Sequence, residues 1–190
     1  MEEVVEFRTR AGQRARLRVA SVTDAAAIVA LDHAIVAAGR GVVVRPDELR
    51  NVELEARRID DLYRGFSAGE ATTSVVAELM GGVPSIVGLA DLKQLRPGLV
   101  RHVATLSVGV HPDHQRHGIG RRLMEALVDH ARSFGLERLE LYVRADNPRA
   151  RALYASLGFG HEATRRRFIK AVDGSYVDDE IWALFLDAKS

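Results

Sequence analysis

The chain contains no cysteine in its 190 residues. This absence excludes disulfide bonds, thiolate metal sites and any mechanism with a cysteine acyl-enzyme, and it is compatible with a reducing compartment. Long apolar runs are also missing, since no segment approaches the ~20 residues that a membrane-spanning helix needs. The first six residues are acidic where a signal peptide would be basic. We therefore expect a cytoplasmic protein with no membrane partner.

The chain also lacks a strong charge of either sign, because its formal net charge is +1. Without a global electrostatic field, nucleic acid is not an expected partner. The composition, 47% hydrophobic and 28% charged, is that of an ordinary globular protein with enough apolar residues for one core. We predict a single domain over residues 1–190.

The periodicity of apolar residues predicts strands in pairs, followed by alternating strands and helices. Strands are predicted at 3–10, 14–20, 73–79, 85–92, 104–110 and 138–144, and in a closing hairpin around Asp173-Gly174. Helices are predicted from Thr23 to Ala37, from Pro46 to Tyr63, up to Phe134, and after the N-cap residue Asn147. The segment 42–44 is a connection that these patterns assign to neither a helix nor a strand. This order indicates an α/β (α+β) domain, with a mixed, twisted central sheet of about seven strands flanked by about four helices.

A glycine-containing run, Gln115 to Arg122, lies between a predicted strand and a predicted helix. The first N–H groups of a helix have no intrahelical partner and carry partial positive charge, so they can hold an anion. Glycine at positions 118 and 120 would let a phosphate approach without meeting a Cβ atom. Three arginines, Arg116, Arg121 and Arg122, add charge nearby. The run is therefore a candidate pyrophosphate site.

Two common nucleotide loops do not fit this run. A Walker loop ends in Gly-Lys-Ser/Thr, whereas Gly120 is followed by two arginines. A Rossmann fingerprint has a third glycine, and Leu123 occupies that place.

The pattern Gln-x-x-Gly-x-Gly, at Gln115, Gly118 and Gly120, resembles that of the GCN5-related N-acetyltransferases, in which it binds the pyrophosphate of acetyl-CoA. A second segment, from Asn147 to Tyr154 and on to Gly158-Phe159, resembles the family's Asn-x-x-Ala-x-x-Leu-Tyr helix and its Gly-Phe ending. Two motifs in the expected order are more specific than either alone. The resemblance covers the second half of the chain strongly and the first half only by the order of elements.

This resemblance implies the acetyltransferase fold, in which the fourth and fifth strands splay apart and acetyl-CoA enters the opening. It implies an acyltransferase that moves an acetyl group from acetyl-CoA to a primary amine by direct attack in a ternary complex. The acceptor would be a small-molecule amine or a peptide amine, and family members often form homodimers. The predicted coenzyme contacts are Val108, Gly109, Val110, Gln115, Arg116, His117, Gly118, Ile119, Gly120, Arg121, Asn147 and Tyr154. A non-catalytic acyl-CoA-binding or sensory module is the alternative.

Three residues are candidates for catalysis. Tyr154 is the candidate acid, because a phenol with a pKa near ~10 stays protonated at neutral pH and can protonate a leaving thiolate. Its alternative role is packing in the core. The resemblance also implies that the backbone N–H of Val108 is the oxyanion donor. Ser107 could take part in a water-mediated proton path, because the strand before the loop contains Thr105 and Ser107 and no acid.

The general base is not identified by the sequence. Acidic residues on neighbouring strands could reach the acceptor, although each is also an ordinary solvated strand residue; they are Asp91, Glu140, Asp178 and Glu180. The pattern of His111, His114 and His117 does not match a helical zinc motif, so no metal is expected. The arginine run 165–167 could attract an acidic group, or it could be a solvated face.

Overall fold

The computed structural model describes residues 5–39, 41–82 and 85–186. The strands are β1 (Val5–Arg8), β2 (Arg14–Val19), β3 (Thr73–Leu79), β4 (Ser85–Gln94), β5 (Val103–Val110), β6 (Arg138–Arg144), β7 (Gly160–Lys170) and β8 (Tyr176–Phe185). The α-helices are α1 (Ala25–Ala37), α2 (Val52–Ser67), α3 (Ile119–Ser133) and α4 (Pro148–Ala155). None of the helices within the described ranges has both the length and the apolar character for a membrane crossing.

All eight strands form one sheet in the order β1-β2-β3-β4-β5-β6-β8-β7. Every neighbouring pair is antiparallel except β5 and β6, which are parallel and are connected through α3. The mixed α/β architecture is as predicted. The sheet has one strand more than the expected seven, because both arms of the opening hairpin pair into it, β1 with β2 and β2 with β3.

Helices cover both faces of the sheet. On one face, α3 places Leu123 and Leu127, both fully buried, against apolar side chains of the central strands. On the other face, α1 and α2 bury a smaller cluster that includes Ile28 and Ile59. Coverage on both faces explains why β3 is almost wholly buried and why the middle of β4 is buried.

The sheet opens between β5 and β6. Their register runs from Val103↔Arg138 to Leu106↔Leu141 and ends there. Beyond this point β5 continues along β4 as far as Val110. Strand β6 continues along β8 as far as Arg144. The two strands therefore diverge, and the splay that the family resemblance implied is present, between strands five and six in this numbering.

Several predicted boundaries differ from the structure. Helix α2 begins at Val52, because Asn51 caps it by accepting a hydrogen bond from Leu54 N at 2.9 Å, and residues Pro46–Glu48 form a separate 3-10 turn. The segment 80–84, between the predicted strands 73–79 and 85–92, lies partly outside the described residues. The unplaced segment 42–44 contacts the end of β6, where Arg144 Nη1 donates to Val42 O at 3.1 Å.

Candidate active site

The start of α3 presents main-chain donors. Gly118 is the N-cap, with φ +85°, and the first hydrogen bond of the helix runs from Arg122 N to Gly118 O at 3.2 Å. The four N–H groups from Gly118 to Arg121 have no hydrogen-bond acceptor within the described residues. They point out of the N-terminus of a 15-residue helix, which is a suitable site for an anion.

The two glycines of this loop serve different purposes. Gly118 has the left-handed backbone conformation that residues with a side chain rarely adopt. Space is not the reason for glycine here, because the nearest atom to an added Cβ is Arg10 Cγ at 3.8 Å. At Gly120 an added Cβ would lie 3.5 Å from Val110 Cγ2 and 3.7 Å from Leu153 Cδ2, which is ordinary contact. Gly120 therefore faces the junction of α3, β5 and α4, whereas Gly118 faces more open space.

The three arginines near the loop are not equivalent. Arg121 Nη2 donates to Ser156 Oγ at 2.6 Å, which ties α3 to the end of α4. Arg122 lies 3.7 Å from Glu125. Arg116 is exposed, has φ +65° and makes no side-chain hydrogen bond or ion pair to a described residue. Of the three, Arg116 is the one whose guanidinium is available to a ligand.

The side chain of Gln115 is engaged at both ends. Its Nε2 donates to Val110 O at 3.2 Å, and its Oε1 accepts from Arg149 Nη1 at 2.6 Å. Gln115 therefore links the end of β5 to α4 and holds the loop in place between them. His117 supports the same loop through its carbonyl oxygen, which accepts from Arg10 N at 3.0 Å.

The edge of β5 that faces the splay has exposed backbone groups. His111 N donates to Val87 O, and Leu95 N donates to Val103 O, so odd-numbered residues of β5 direct their backbone groups towards β4. Because successive residues of a strand direct their backbone groups in opposite directions, Val108 and Val110 direct theirs into the splay.

Of these groups, Val110 O already accepts a hydrogen bond from Gln115, whereas Val108 has no partner on β6. The geometry suits both predicted roles of this edge, pairing with an amide chain and donation to an oxyanion.

Tyr154 lies on α4 and is largely buried. Its ring packs beside Phe159, with ring centroids 6.2 Å apart, and its hydroxyl makes no hydrogen bond to a described residue. Burial raises the pKa of Tyr154 to about 12. The side chain is therefore both a core residue and a protonated phenol at neutral pH.

Asn147 is the N-cap of α4, and its Oδ1 accepts from Ala150 N at 3.1 Å. Its Nδ2 lies only 2.6 Å from the position of an added Cβ at Gly41. The capping role that the sequence predicted is present, and the amide nitrogen contacts the loop between α1 and α2.

The three histidines of the loop region lie close together. The ring centroids of His111 and His114 are 5.6 Å apart, and those of His114 and His117 are 6.2 Å apart. Burial, with its histidine neighbours, lowers the pKa of His114 below its ordinary value. Across the described parts of the chain, no group of three histidine or acidic side chains could hold a metal ion.

Ser107 faces the α1/α2 side of the sheet, beside a group of charged and polar side chains. We call this group the acceptor-side cluster; it consists of Glu55, Arg58, Ser74, Asp91 and Ser107. Ser107 Oγ lies 3.5 Å from Asp91 Oδ2. Asp91 Oδ1 accepts from Ser74 Oγ at 2.5 Å and from Arg58 Nη1 at 3.0 Å.

Glu55 anchors this cluster to α2. Its side chain is fully buried and accepts from Arg58 Nη2 at 2.6 Å and from Arg50 Nε at 2.7 Å. Burial alone would raise the pKa of Glu55, but the hydrogen bonds from the two arginines outweigh it and hold the pKa below its ordinary value.

The other carboxylates considered as bases are engaged elsewhere. Glu140 accepts from Arg138 Nε at 2.8 Å, Asp178 accepts from Arg167 N at 2.7 Å, and Glu180 accepts from Trp182 Nε1 at 2.8 Å. Of the arginine run, Arg165 stacks on Phe168, 3.7 Å from the ring centroid, and pairs with Asp179.

A further acid, Asp32 on α1, was not predicted. It is half-buried and, within the described residues, accepts no hydrogen bond and forms no ion pair. The sequence contains one indication of a special role, because Asp32 puts a charge on the apolar face of α1 that Ile28, Leu31 and Ile35 form.

Comparisons with known proteins agree with this architecture. Residues 44–159 match the model of the acetyltransferase (GNAT) family. N-alpha-acetyltransferase RimI of Mycobacterium tuberculosis is 36% identical over 136 residues, which are 68% of this chain and 83% of that protein. An acetyltransferase of Salmonella typhimurium, solved with its cofactor acetyl-CoA, superposes with a TM-score of 0.76 at 25% identity, over 93% of this chain and 96% of the other.

The eight-stranded sheet, with its splay between β5 and β6, has the architecture of the acetyltransferase (GNAT) fold. The chain belongs to the acetyltransferase (GNAT) family. The [ribosomal protein bS18]-alanine N-acetyltransferase of Escherichia coli is 47% identical over 72 residues, which are 37% of this chain and 49% of that protein. The match therefore spans about half the length of that relative.

Proposed function

We propose that this protein is an acetyl-CoA-dependent N-acetyltransferase whose acceptor is the α-amino group of a peptide. The observation that carries the proposal is the pairing of four free N–H groups at the start of α3 with an open strand edge at Val108. The first suits a diphosphate, and the second suits the amide-containing arm that follows it in coenzyme A.

The coenzyme fits the residues that are present. The N–H groups from Gly118 to Arg121 would hold the diphosphate, with Arg116 adding charge from a side chain that has no other described partner. Val108 and the splay would hold the pantetheine arm, and the thioester would then lie beside Ser107 and the acceptor-side cluster. The amide of Asn147 borders the same opening.

The reaction forms a C–N bond and an S–H bond, and it breaks the C–S bond and one N–H bond. A neutral amine attacks the thioester carbon, and its nitrogen releases one proton to solvent as the C–S bond breaks. The N–H of Val108 stabilises the negative charge that develops on the carbonyl oxygen. The leaving sulfur takes a proton from the Tyr154 hydroxyl, which remains protonated at neutral pH because its pKa is about 12, and solvent then returns that proton.

Two observations support a peptide acceptor. The relative from Mycobacterium tuberculosis, which matches over two thirds of this chain, is named an N-alpha-acetyltransferase, and the Escherichia coli relative is named for an alanine of a ribosomal protein. The side of the splay opposite α3 also has carboxylates at Asp91 and Asp32, which favour a cationic acceptor.

The test is release of free CoA from acetyl-CoA in the presence of peptides that begin with alanine, with N-terminally blocked copies of the same peptides as controls. We expect turnover with the free peptides alone. Tyr154→Phe should reduce kcat by roughly 10²–10⁴-fold while acetyl-CoA binding, measured by calorimetry, stays near that of the wild type. Tyr63→Phe, at an exposed position on α2, is the matched control.

The outcomes separate the alternatives. Tight acetyl-CoA binding without turnover on any amine would favour the acyl-CoA-binding module. Turnover on free amino acids or polyamines, with none on peptides, would retain the enzyme and replace the acceptor. Absence of acetyl-CoA binding would overturn the proposal as a whole.

A further inference from the structure

The proposed chemistry lacks a group that removes a proton from the acceptor's ammonium. Strand β5 supplies no acid, and the acids considered on β6 and β8, which are Glu140, Asp178 and Glu180, already accept hydrogen bonds. This inference rests on the proposed function and names the missing residue.

Asp91 lies nearest to Ser107 but is poorly suited to receive the proton. Arg58 Nη1 and Ser74 Oγ both donate to its Oδ1, so this oxygen is already paired with a guanidinium of low exposure, and Oδ2 lies beside Ser107 Oγ. Protonating Asp91 would leave the guanidinium of Arg58 with one carboxylate fewer, which is costly where solvent is limited. Asp91 is better suited to orient Ser107 and attract a cation.

Asp32 lies over the strands that contain Asp91 and Ser107, which are β4 and β5. On α1 it precedes Ile35 by one helical turn, and Ile35 packs on β5 so closely that a Cβ added at Gly109 would lie 2.8 Å from its Cδ1. Gly109 follows Val108, the proposed oxyanion donor. Helix α1 therefore holds Asp32 on the α1/α2 face of the sheet, close enough to Asp91 for the two charges to interact.

Charged groups surround Asp32 from each element packed against it. These are Glu55 and Arg58 from α2, Arg50 from the segment before α2, and Asp91 from β4. The arginines are already paired, Arg50 and Arg58 with Glu55 and Arg58 also with Asp91. Asp32 has no ion-pair partner within the described part of the chain, so it is the one carboxylate of this region free to accept a proton.

We propose that Asp32 is the general base, which receives a proton from the acceptor's ammonium and passes it to solvent. The neutral amine then attacks, its second proton is lost as the amide forms, and the thiolate gains a proton from Tyr154. The sum is one acetyl transfer with release of one proton to solvent. Burial raises the pKa of Asp32, Glu55 and Asp91 add to the rise, and Arg50 and Arg58 oppose it. A raised pKa increases proton affinity, as general base catalysis at neutral pH requires.

The test compares Asp32→Asn with Asp61→Asn, an exposed aspartate on α2, in the full-length protein. Wild type should take the protonated amine, so kcat/KM should reach its plateau below the amine's own pKa. In Asp32→Asn, kcat should fall roughly 10²–10⁴-fold, and kcat/KM should keep rising until the free amine dominates, near about 7.7–8.0 for an α-amino group. Asp32→Glu should retain the wild-type profile at a reduced rate.

Two measurements besides activity separate catalysis from damage to the fold. Acetyl-CoA binding should be unchanged in Asp32→Asn. The raised pKa means that the charged form of Asp32 opposes folding, and this penalty is absent at low pH and fully present above the folded-state pKa. The Tm of Asp32→Asn at neutral pH should therefore equal or exceed that of the wild type.

An Asp32→Asn variant with kcat within threefold of the wild type, or with the wild-type pH profile, would overturn the assignment. So would a variant that loses activity together with Tm and acetyl-CoA binding. An inactive wild type that fails to bind acetyl-CoA would instead refute the proposed function.

Discussion

The two faces of the sheet are built on different physical principles. The α3 face is apolar, and the proposed coenzyme site at its edge depends on backbone groups that any sequence could supply once the loop has its shape. The α1/α2 face has a smaller apolar cluster and a network of buried and half-buried charges. A backbone site recognises a feature common to all acyl-CoA molecules, whereas a site of side chains can differ between relatives. We therefore expect acceptor choice to depend on the α1/α2 face.

Glu55→Gln should have the largest effect on stability. Removing this charge leaves two arginines without their buried partner, and breaking a buried pair in this way costs roughly 3–5 kcal/mol. Because the folded-state pKa of Glu55 is lowered, its contribution is present above the unfolded-state value of 4.5 and is lost as the pH falls through the folded-state pKa. Urea unfolding at neutral and acidic pH measures the difference, and a gap that does not shrink in acid would contradict this account of the α1/α2 face.

Leu127→Ala on α3 should be almost as destabilising, by roughly 2–5 kcal/mol, since a fully buried leucine leaves a cavity. No charge is involved, so the loss should be the same at both pH values. The same urea series measures it. If the loss of stability in Leu127→Ala depended strongly on pH, the proposed contrast between an apolar α3 face and a charged α1/α2 face would be wrong.

Gly118→Ala should cost about 1–2 kcal/mol, because alanine is strained in the left-handed conformation. It should also weaken acetyl-CoA binding by disturbing the donors after it. Gly120→Ala, where the added methyl group has only ordinary contacts, is the matched control and should bind nearly as well as the wild type. Equal losses at the two positions would contradict their different roles.

Arg57→Ala should have the smallest effect, about 0.3–0.5 kcal/mol, because its pair with Glu53 is exposed and spans one helical turn. Its neighbour Arg58 lies within the acceptor-side cluster. Thermal unfolding of Arg57→Ala and Arg58→Ala compares the two positions, and similar losses would indicate that the cluster adds little beyond surface pairing.

The sequence marks the proposed coenzyme half more clearly than the proposed acceptor half, for a physical reason. The loop 115–120 and the helix after Asn147 are contiguous motifs, so their residue types and spacing are visible along the chain. The acceptor-side cluster joins Glu55, Asp91 and Ser107, which are far apart in sequence, and only the packing of α2 on the sheet brings them together.

Two details show where local patterns were insufficient. Helix α2 was placed six residues early, because Pro46 and its following acids form a short 3-10 turn with the same signals as a helix start. Asp32 was overlooked because it interrupts an apolar stripe without joining any motif. Its significance depends on Ile35 packing against Gly109, a contact that no spacing rule predicts.

The central claim, that bare N–H groups at the start of α3 hold the diphosphate of acetyl-CoA, can be tested directly by titrating ¹⁵N-labelled protein with CoA and with pantetheine, which lacks the diphosphate. The account predicts that the amide resonances of Gly118, Ile119, Gly120 and Arg121 shift strongly with CoA and little with pantetheine, while Val108 responds to both. Unchanged resonances at these four residues under saturating CoA would contradict it.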